Sequence, residues 1–526
     1  MHFENVIIGA GPAGVQLAYN FKKNNISYII LEKTKVCGSF FEKYPHTSKL
    51  ISINKKHTGK QDKDFNLRHD WNSLLNEDDF LLKDYSDEFY PDHQDLHRYI
   101  NDFANKYELN IQYNTDVKKI NKIENKYEII TDTTITCDKL IVATGLSLPN
   151  NPTFTFKSTI SDKINHYADF PKGYFKDIEN LKKYANKKIL LVGGGNSAYE
   201  LANVLNNYAS NIIIWGSKKD LSIVSHYAGD IRSIYLPFLD TFYLKSMNGI
   251  DKLIKTETGN SQISVVQNSI SGDKNYGKYQ VFMGVNTMYF KTTDLEYYDE
   301  IIYCTGFKFD ASIFSFDLTL CINNKFPQIN HKYESSNNPN LYFIGSLMHS
   351  IDYKKSSGGF IHGFRYLIKL FTQLNYQVPF DMHKFKFDGT LNCYTKLADH
   401  IYHRINTSSS LYQMYGVLND LFYFDKVNKE IIYYESITKE CVLQLNLKME
   451  KYNLLNLTYG DKVYDITKLG NFDKYNPSFL HPEILLFQNS NLIDKIIFEE
   501  DLVADFKNKS FYDKIQRTLK GCNLVF

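Results

Sequence analysis

The chain has 526 residues, of which 43% are hydrophobic, with 61 basic and 59 acidic side chains. A chain of this length and composition is predicted to form a globular protein of two or three domains. Because neither sign of charge forms a long block, nucleic acid and anionic lipid are not expected partners. No apolar run approaches the roughly 20 residues of a membrane-spanning helix, and the first predicted strand begins at Phe3, which leaves no room for a signal peptide. We therefore expect a cytoplasmic protein without a transmembrane segment.

The seven cysteines are widely scattered and include no C-x-x-C pair. This spacing predicts neither a zinc site nor a redox-active dithiol, and no metal is expected. Cysteines without such pairs suit a reducing compartment. Cys304 ends a predicted buried strand and is interpreted as a small core residue.

The N-terminal sequence NVIIGAGPAG predicts a strand, a glycine-rich turn and the start of a helix. Gly9 allows the tight turn, Gly11 lets the backbone approach a pyrophosphate, and Gly14 permits close packing of the helix on the sheet. A second predicted strand ends at Glu32, whose carboxylate suits the hydroxyls of a ribose. The predicted nucleotide contacts of this first cradle are Gly9, Gly11, Pro12, Ala13, Gly14, Glu32 and Lys33.

Two further segments predict a buried strand that ends in a turn. KLIVATGLSLP at 139–149 turns at Ala143, Thr144 and Gly145, and EIIYCTGFKFD at 300–310 turns at Thr305 and Gly306. Turns of this kind let the backbone pass beside a bound nucleotide. Because each one follows a glycine-rich turn in the chain, they indicate two nucleotide sites.

A second cradle lies in KKILLVGGGNSAYELANVLNNYASNIIIWGSKK, which again predicts strand, turn, helix and strand. It ends in a hydroxyl and two cations instead of an acid, which favours the 2'-phosphate of NADPH over the bare ribose of NADH. The alternative is that these lysines belong to a solvated loop. The predicted contacts are Gly193, Gly195, Asn196, Ser197, Ala198, Ser217, Lys218 and Lys219. We expect the first cradle to hold FAD and the second a nicotinamide nucleotide.

The predicted fold is α/β, with two Rossmann-like domains and a mixed α+β region at the C-terminus. The FAD-binding domain is discontinuous, at 1–150 and 305–385, and the NAD(P)H-binding domain at 151–304 is inserted into it. Residues 390–526 carry no nucleotide fingerprint, and the sequence does not indicate their role.

These residues resemble the two-dinucleotide-binding-domain flavoproteins, and among them the flavin-containing monooxygenases. That resemblance is carried by GAGPAG, Glu32, GSFF at 38–41, the segment at 90–111, ATG and GGGNSA. A closer resemblance is to the family of the endoplasmic-reticulum flavoprotein associated with degradation. The members of that family are FAD-dependent oxidoreductase-domain proteins. It is carried by KLISINKKHTGK (49–60), FNLRHDWNSLL (65–75), HYAGDIRS (226–233), SSGGFIHGFRY (356–366), LYQMYGVLND (411–420) and SFLHPE (478–483).

Two departures limit what the resemblance implies. That family carries a signal peptide and an ER-retention ending, whereas this chain ends in GCNLVF, so a lumenal location is not expected. Gly216 stands where many NADPH-using relatives have an arginine, so NADH stays the alternative to NADPH.

The resemblance also implies the residues around the flavin. Asn54 matches an asparagine that lies over the flavin in the monooxygenases, where an amide can donate to an oxygenated flavin and accept elsewhere. A loop asparagine capping its own backbone is the alternative. A helix starting near Ser357 would point its positive end at the flavin. The further implied cofactor contacts are Ser39, Phe40, Phe41, Lys55, Val117, Gly345, Gly358 and Gly359.

Two polar groups have an open interpretation. Arg68, His69, Asp70 and Trp71 form either one wall of the flavin pocket or a surface ion pair beside a half-buried tryptophan. The second group either lines the flavin site or makes only structural hydrogen bonds, and it consists of His349, Asp352, Lys354 and His362.

The resemblance favours an NAD(P)H-dependent flavin oxidoreductase of monooxygenase type. One alternative is a reductase of disulfides or dithiols, which would need a partner's thiols or a non-adjacent pair. The other is a flavoprotein that binds misfolded clients. A small-molecule or protein substrate and a second copy of the chain are the partners left open.

Overall fold

The structure is a computed structural model. It describes residues 1–152, 164–216, 299–386, 391–444, 449–459, 480–499 and 506–521, together with the short strands at 155–156, 250–255, 263–267, 279–283 and 295–298.

A seven-stranded sheet forms the centre of the N-terminal half. In the first strand, Ile7 faces one side of the sheet and Val6 and Ile8 face the other, and all three are buried. Two apolar faces are typical of a parallel sheet covered on both sides. The strands lie in the order Ile111–Gln112, Ile29–Leu31, His2–Ile8, Thr134–Val142, Lys126–Ile130 and Lys119–Ile123, and Leu341–Phe343 also pairs with Thr134–Val142.

Three helices cover the Ile7 face of this sheet, namely Pro12–Lys23, His93–Lys106 and Ile361–Asn375. The first begins directly after the glycine turn, with proline at its first position, where the missing N–H costs no hydrogen bond. The opposite face is covered in part by Phe309 and Phe314, from the chain that returns from the second sheet. The sheet thus lies between two apolar layers.

The second sheet is five-stranded and fully parallel. Its order is Ile250–Lys255, Asn211–Gly216, Lys188–Val192, Glu300–Tyr303 and Asn165–His166. The helix Asn196–Leu205 packs on it through Ala198, Leu201 and Leu205. Where the chain crosses between the two sheets, Leu148–Pro149 pairs with Phe307–Lys308 in a short antiparallel ladder.

The C-terminal region contains a six-stranded antiparallel sheet with two helices, Leu391–Thr407 and Lys509–Gly521, against one face. Its other face joins the core around Ile361–Asn375 through Leu418, Leu421 and Leu454. The strands lie in the order Met382–Lys386, Glu430–Thr438, Leu418–Asp425, Lys451–Thr458, His481–Gln488 and Asn491–Ile497. The predicted fold class is confirmed, and the domain limits stay a prediction.

The remaining elements are short. The helical ones are Ser39–Lys43, Lys63–Arg68, Leu82–Asp84, Tyr167–Asp169, Tyr174–Lys176, Ile178–Lys182, Gly345–Ser350, Ser409–Gln413 and Lys439–Gln444. The strands are Leu320–Cys321 and Phe326–Pro327, which pair, and Thr155–Phe156, Ile263–Gln267, Tyr279–Met283 and Leu295–Tyr298, which form a small sheet. Within the described ranges, no helix has the length and apolar character needed to cross a bilayer.

A buried arginine joins the N-terminal half to the C-terminal region. Arg68 is 2% exposed, and its Nε donates to the carbonyls of Thr407 at 3.2 Å and Ser408 at 3.1 Å. Its Nη2 donates to the carbonyl of Ile405 at 2.7 Å, and Gln413 Nε2 donates back to the Arg68 carbonyl at 2.6 Å. These acceptors lie at the C-terminal end of Leu391–Thr407, where carbonyls lack helical partners and a cation is favourable.

We expect Arg68→Met to destabilise the protein. The change keeps the apolar stem of the side chain but leaves buried carbonyls unsatisfied, at about 1–3 kcal/mol for each orphaned group. The free energy of unfolding, measured in denaturant, should fall by about 3 kcal/mol or more. Arg98→Met is the matched control, because Arg98 is exposed and its contacts with Asp95 and the Tyr85 carbonyl lie at the surface. Equal losses in the two variants would contradict the proposed role.

Candidate functional site

The first cradle contains two kinds of glycine. Gly9 has a φ of +100°, and a Cβ there would lie 3.1 Å from the Ala143 carbonyl oxygen. A Cβ on Gly14 would collide with the Gly9 carbonyl oxygen. At Gly11, by contrast, the nearest atom to an added Cβ is the Ala143 oxygen at 4.0 Å. Gly9 and Gly14 are therefore required by the packing of the chain, whereas the open space at Gly11 fits the close approach of a pyrophosphate.

Glu32 is fixed beside this turn. Its Oε2 accepts the Ala10 N–H at 2.7 Å, and its Oε1 accepts from the Thr34 N–H at 2.9 Å and hydroxyl at 2.8 Å. An ionised carboxylate has about four lone-pair sites, so acceptor capacity is left for ribose hydroxyls. The residues present therefore fit a dinucleotide. The neighbouring Lys33 points away, since it is exposed and pairs with Asp116 at 3.4 Å.

Other predicted residues close over the same turn. A Cβ on Gly345 would lie 2.5 Å from the Ala13 Cβ, and one on Gly145 would lie 3.3 Å from the Ser346 hydroxyl. Ala143 and Gly345 thus contact the first cradle, and the contact of residues 143–145 and 345 with a nucleotide stays a prediction. Val117 is half-buried and directly follows Asp116, which is the ion-pair partner of Lys33.

The second cradle repeats this geometry. Gly193 has a φ of +123°, and a Cβ there would collide with the Cys304 carbonyl oxygen, next to Thr305. An added Cβ at Gly195 would have no described atom within 4 Å, and the helix Asn196–Leu205 begins at the following residue. Gly306 has a φ of +75°. Ser217, Lys218 and Lys219 lie outside the described residues.

The segment that contains Asn54 lies between two others. On one side, Lys55 N–H donates to the His69 carbonyl at 2.8 Å and Trp71 N–H to the Ile53 carbonyl at 3.0 Å. On the other, Asn54 N–H donates to the Phe89 carbonyl at 2.8 Å. Two stretches predicted to carry the site are therefore paired with each other.

The Asn54 side chain is 1% exposed. Its Nδ2 donates to the Ser86 carbonyl at 3.1 Å, and Oδ1 has no hydrogen-bond partner among the described residues. Because buried acceptors are normally paired, this free amide oxygen fits a donor supplied by a bound ligand. Lys55, one residue on, is exposed.

Asp70 does not form the ion pair with Arg68 that was one of the two interpretations of this segment. Its carboxylate accepts the N–H groups of Asn72 at 3.1 Å and Ser73 at 3.0 Å, together with the Ser73 hydroxyl. Such local caps are common for aspartate in turns. The Arg68 guanidinium instead donates hydrogen bonds to carbonyls of the C-terminal region.

A second buried arginine, which was not singled out from the sequence, holds this turn. Arg365 donates to the carbonyls of Leu67 at 2.7 Å, Asp70 at 3.0 Å and Ser73 at 2.7 Å. A single guanidinium can satisfy several converging carbonyls because its donors lie in a rigid fork. Arg365 lies on the helix Ile361–Asn375, so this helix fixes the turn at 67–73. His69 and Trp71 of that turn form the backbone hydrogen bonds to the segment that contains Asn54.

The expected helix start near Ser357 is wrong. The helix is Ile361–Asn375, and Gly358 and Gly359 lie in the preceding loop. His349 Nδ1 and Asp352 Oδ1 are 2.9 Å apart, and Gly358 N–H donates to Asp352 Oδ2 at 3.0 Å. A Cβ at Gly358 would collide with the Asp352 carboxylate. The glycines therefore allow this packing and do not open the helix.

Of the four residues grouped with that loop, His362 is the one whose buried polar atoms lack a hydrogen-bond partner among the residues that the structure describes. Lys354 is exposed, and its backbone N–H donates to His349 Nε2 at 3.4 Å. His362 is 2% exposed, and neither ring nitrogen has a partner within the described part of the chain. Its ring lies 4.4 Å from that of Trp71. Burial, and then the charge of Arg365, lower the pKa of His362 well below its ordinary value, so the imidazole is neutral.

The GSFF segment links the two nucleotide-binding halves. Its Gly38 N–H donates to the Ala10 carbonyl at 2.9 Å, and the short helix Ser39–Lys43 follows. Phe40 is 47% exposed and its ring lies 6.1 Å from that of Phe307, next to the second turn. Phe41 lies beside it, and its carbonyl contacts His93 Nδ1.

A buried carboxylate at the same junction was not singled out from the sequence. Glu200 lies on the helix after the second cradle, and Thr47 of the N-terminal half donates to its Oε2 at 3.1 Å. Burial raises the pKa of Glu200 to about 7. Nearby, burial lowers the pKa of His46 to about 4, and His46 N–H donates to the Tyr167 hydroxyl at 2.8 Å. Both halves contribute to this polar junction.

The described cysteines are all free, and all but Cys321 are buried. Cys304 lies in the core beside Gly193, as predicted. Burial raises the pKa of the Cys304 thiol, and it raises the pKa of the Cys37 thiol to about 11. Both shifts disfavour the reactive thiolate.

Comparison with known proteins agrees with this architecture. The family model described as pyridine nucleotide-disulphide oxidoreductase matches residues 6–345. FAD-dependent oxidoreductase domain-containing protein 2 of Mus musculus is 32% identical over 533 residues, covering 93% of this chain and 76% of that protein. The protein of the same name from Danio rerio is 34% identical, covering 80% of this chain and 64% of that protein.

A solved structure of similar fold is the bacillithiol disulfide reductase of Staphylococcus aureus, with a TM-score of 0.51 at 19% identity over 71% of this chain and 98% of that one. Two nucleotide cradles on this fold define a flavin-dependent oxidoreductase whose family uses a flavin and a nicotinamide cofactor. The chain belongs to the pyridine nucleotide-disulphide oxidoreductase family and to that of FAD-dependent oxidoreductase domain-containing protein 2. The resemblance stated from the sequence is thereby confirmed.

We expect Gly11→Val to abolish flavin binding without unfolding the protein. The added side chain enters the open space of the cradle, where it meets the pyrophosphate and not the protein. The purified variant should lose its visible flavin absorbance and keep its circular dichroism spectrum. Gly14→Ala is the comparison, because its Cβ collides with the Gly9 carbonyl and should unfold the first cradle. A Gly11→Val variant that retains flavin would contradict this assignment.

We expect Glu200→Gln to change how stability depends on pH. The folded pKa of about 7 is above the ordinary 4.5, so the stability from the neutral carboxyl is fully present below pH 4.5 and is lost as the pH rises through 7. Glutamine stays neutral. The variant should gain about 3 kcal/mol relative to the wild type between these limits, as measured by denaturant unfolding at several pH values. Glu179→Gln, at an exposed position, should show no such gain.

Proposed function

We propose that the protein is an FAD-containing, NADPH-dependent oxidoreductase of monooxygenase type. FAD would be held by the first cradle, with the pyrophosphate at Gly11 and the ribose at Glu32. Bound flavin supplies hydride acceptance from the nicotinamide and electron transfer to O2. The preference for NADPH rests on Ser217, Lys218 and Lys219 in the sequence, where a hydroxyl and two cations suit a 2'-phosphate.

The observation that carries this proposal is the buried, unpaired amide oxygen of Asn54. Its backbone is held from both sides, so the side chain is preorganised and costs little to order when the ligand binds. The amide keeps a second N–H beside the one that Ser86 accepts. Asn54 would therefore both accept from the cofactor and donate to a reacting oxygen.

The surroundings support exclusion of water and of protons. His362 is buried and neutral at physiological pH, and Trp71 covers one side of its ring. A neutral imidazole is a poor proton source compared with an imidazolium. A buried site with a neutral imidazole is an environment in which reduced flavin and oxygen would give a productive reaction instead of peroxide.

A disulfide reductase is less well supported by the described cysteines. They are free, and the buried ones whose thiol pKa is raised are poor nucleophiles. A role in binding misfolded clients would need no turnover of NADPH. Oxidation of NADPH in air, and under anaerobic conditions with an added disulfide, therefore separates the three functions.

We expect Asn54→Asp to bind FAD and to be reduced by NADPH like the wild type, but to release hydrogen peroxide faster in air. The carboxylate has no N–H to donate and carries a negative charge. Loss of a hydrogen bond of about 1.5–3 kcal/mol corresponds to roughly ten-fold or more in rate. Anaerobic reduction by NADPH and by NADH, each at the same sub-saturating concentration, followed by mixing with air, measures both steps.

Asn489→Asp is the matched control, because Asn489 is exposed in a hairpin turn of the C-terminal sheet. Peroxide release at the same rate from wild type and Asn54→Asp would reject the role of Asn54. Continued anaerobic oxidation of NADPH on adding a small disulfide would instead establish a reductase. Absence of any NADPH or NADH oxidation would favour client binding.

A further inference from the structure

We propose that His383, His400 and Glu435 form a binding site for one divalent transition-metal ion of the zinc type. The three residues lie in the C-terminal region. Their candidate ligand atoms all fall within 4.8 Å of one another. His383 Nε2 is 2.8 Å and His400 Nε2 is 3.4 Å from the same carboxylate oxygen, Glu435 Oε1.

These distances suit a metal. Zinc binds imidazole nitrogen and carboxylate oxygen at about 2.0–2.2 Å, so ligand atoms around a tetrahedral ion lie about 3.3 Å apart. Only small side-chain rotations are needed to reach that spacing from the separations present. The buried His400 Nε2 meets Glu435 Oε1 at 3.4 Å without the geometry of a hydrogen bond. A metal ion between the two atoms would give each of them a direct ligand bond.

Three separate elements fix the ligands. His383 lies on the edge strand Met382–Lys386, which pairs in register with the strand that carries Glu435. His400 lies on the helix Leu391–Thr407, and its ring packs edge-on against that of Tyr433 at 4.6 Å. His383 is 46% exposed, so the site opens to solvent on one side. Water could therefore reach the ion and complete its coordination.

Arg404 lies next to the site, since its Nη1 is 3.0 Å from Glu435 Oε2. Its charge is already balanced, because Arg404 Nε and Nη2 contact the two Asp420 oxygens at 2.7 and 3.0 Å. Asp420 is fully buried and is fixed further by the Tyr433 hydroxyl at 2.9 Å. Glu435 thus keeps a net negative charge for the cation, and Arg404 holds its far oxygen so that Oε1 faces the histidines.

Zinc binding to the full-length protein, stripped with a chelator and titrated by calorimetry at pH 7.5, tests the proposal. We expect one equivalent of Zn²⁺ to bind and to raise the melting temperature. His400→Ala and His383→Ala should each weaken binding by roughly 100-fold or more. His403→Ala is the matched control, because His403 is one turn further along the same helix, exposed, and should leave binding unchanged.

Co²⁺ offers a second readout. The visible spectrum of the cobalt-loaded protein should show bands of four- or five-coordinate cobalt that disappear in His383→Ala, whose exposed position makes misfolding unexpected. Circular dichroism without metal verifies the fold of each variant. Absence of stoichiometric Zn²⁺ binding by the wild type would overturn the site. So would an equal loss of binding in His403→Ala.

Discussion

Two buried guanidinium groups hold the backbone at residues 67–73, and the candidate site is built on that backbone. Arg365 satisfies three carbonyls within the turn, and Arg68 reaches out of it to the end of the helix Leu391–Thr407. A buried charge is costly unless it is hydrogen-bonded, so these contacts restrict the movement of both arginines. His69 and Trp71 of the same turn form the backbone hydrogen bonds to the segment that contains Asn54, so the position of the Asn54 amide depends on both arginines.

The parts of the site that could be predicted are those in which the chemistry is local. A glycine turn between a strand and a helix needs only a few consecutive residues, so both cradles and Glu32 were found from the sequence alone. The different roles predicted for Gly11 and Gly14 are also local, since an added Cβ on Gly14 meets the Gly9 carbonyl of the same turn. The contact that restricts Gly193 is not local, because the Cys304 carbonyl is more than a hundred residues away in the chain.

The parts that could not be predicted depend on contacts between distant segments. Gly358 and Gly359 were grouped with a helix expected to start near Ser357, but they lie in the preceding loop, where Asp352 packs against Gly358 and His349 against Gly359. In the sequence, Glu200 is indistinguishable from an exposed glutamate on a helix. Its burial results from contact with Thr47 and the rest of the N-terminal half. His383, His400 and Glu435 occupy a strand, a helix and another strand, without the short spacing by which metal ligands are recognised.

The helix Ile361–Asn375 packs against both the nucleotide-binding half and the C-terminal sheet. One side contacts the helix Pro12–Lys23 of the nucleotide-binding half, and the same apolar cluster continues into the C-terminal sheet through Leu418 and Leu454. A chain shortened before that sheet would expose apolar surface on the very helix that carries Arg365, and would remove the carbonyls that Arg68 satisfies. The C-terminal region therefore acts as part of the scaffold of the candidate site, and trimming the chain to its two nucleotide-binding units would remove that support.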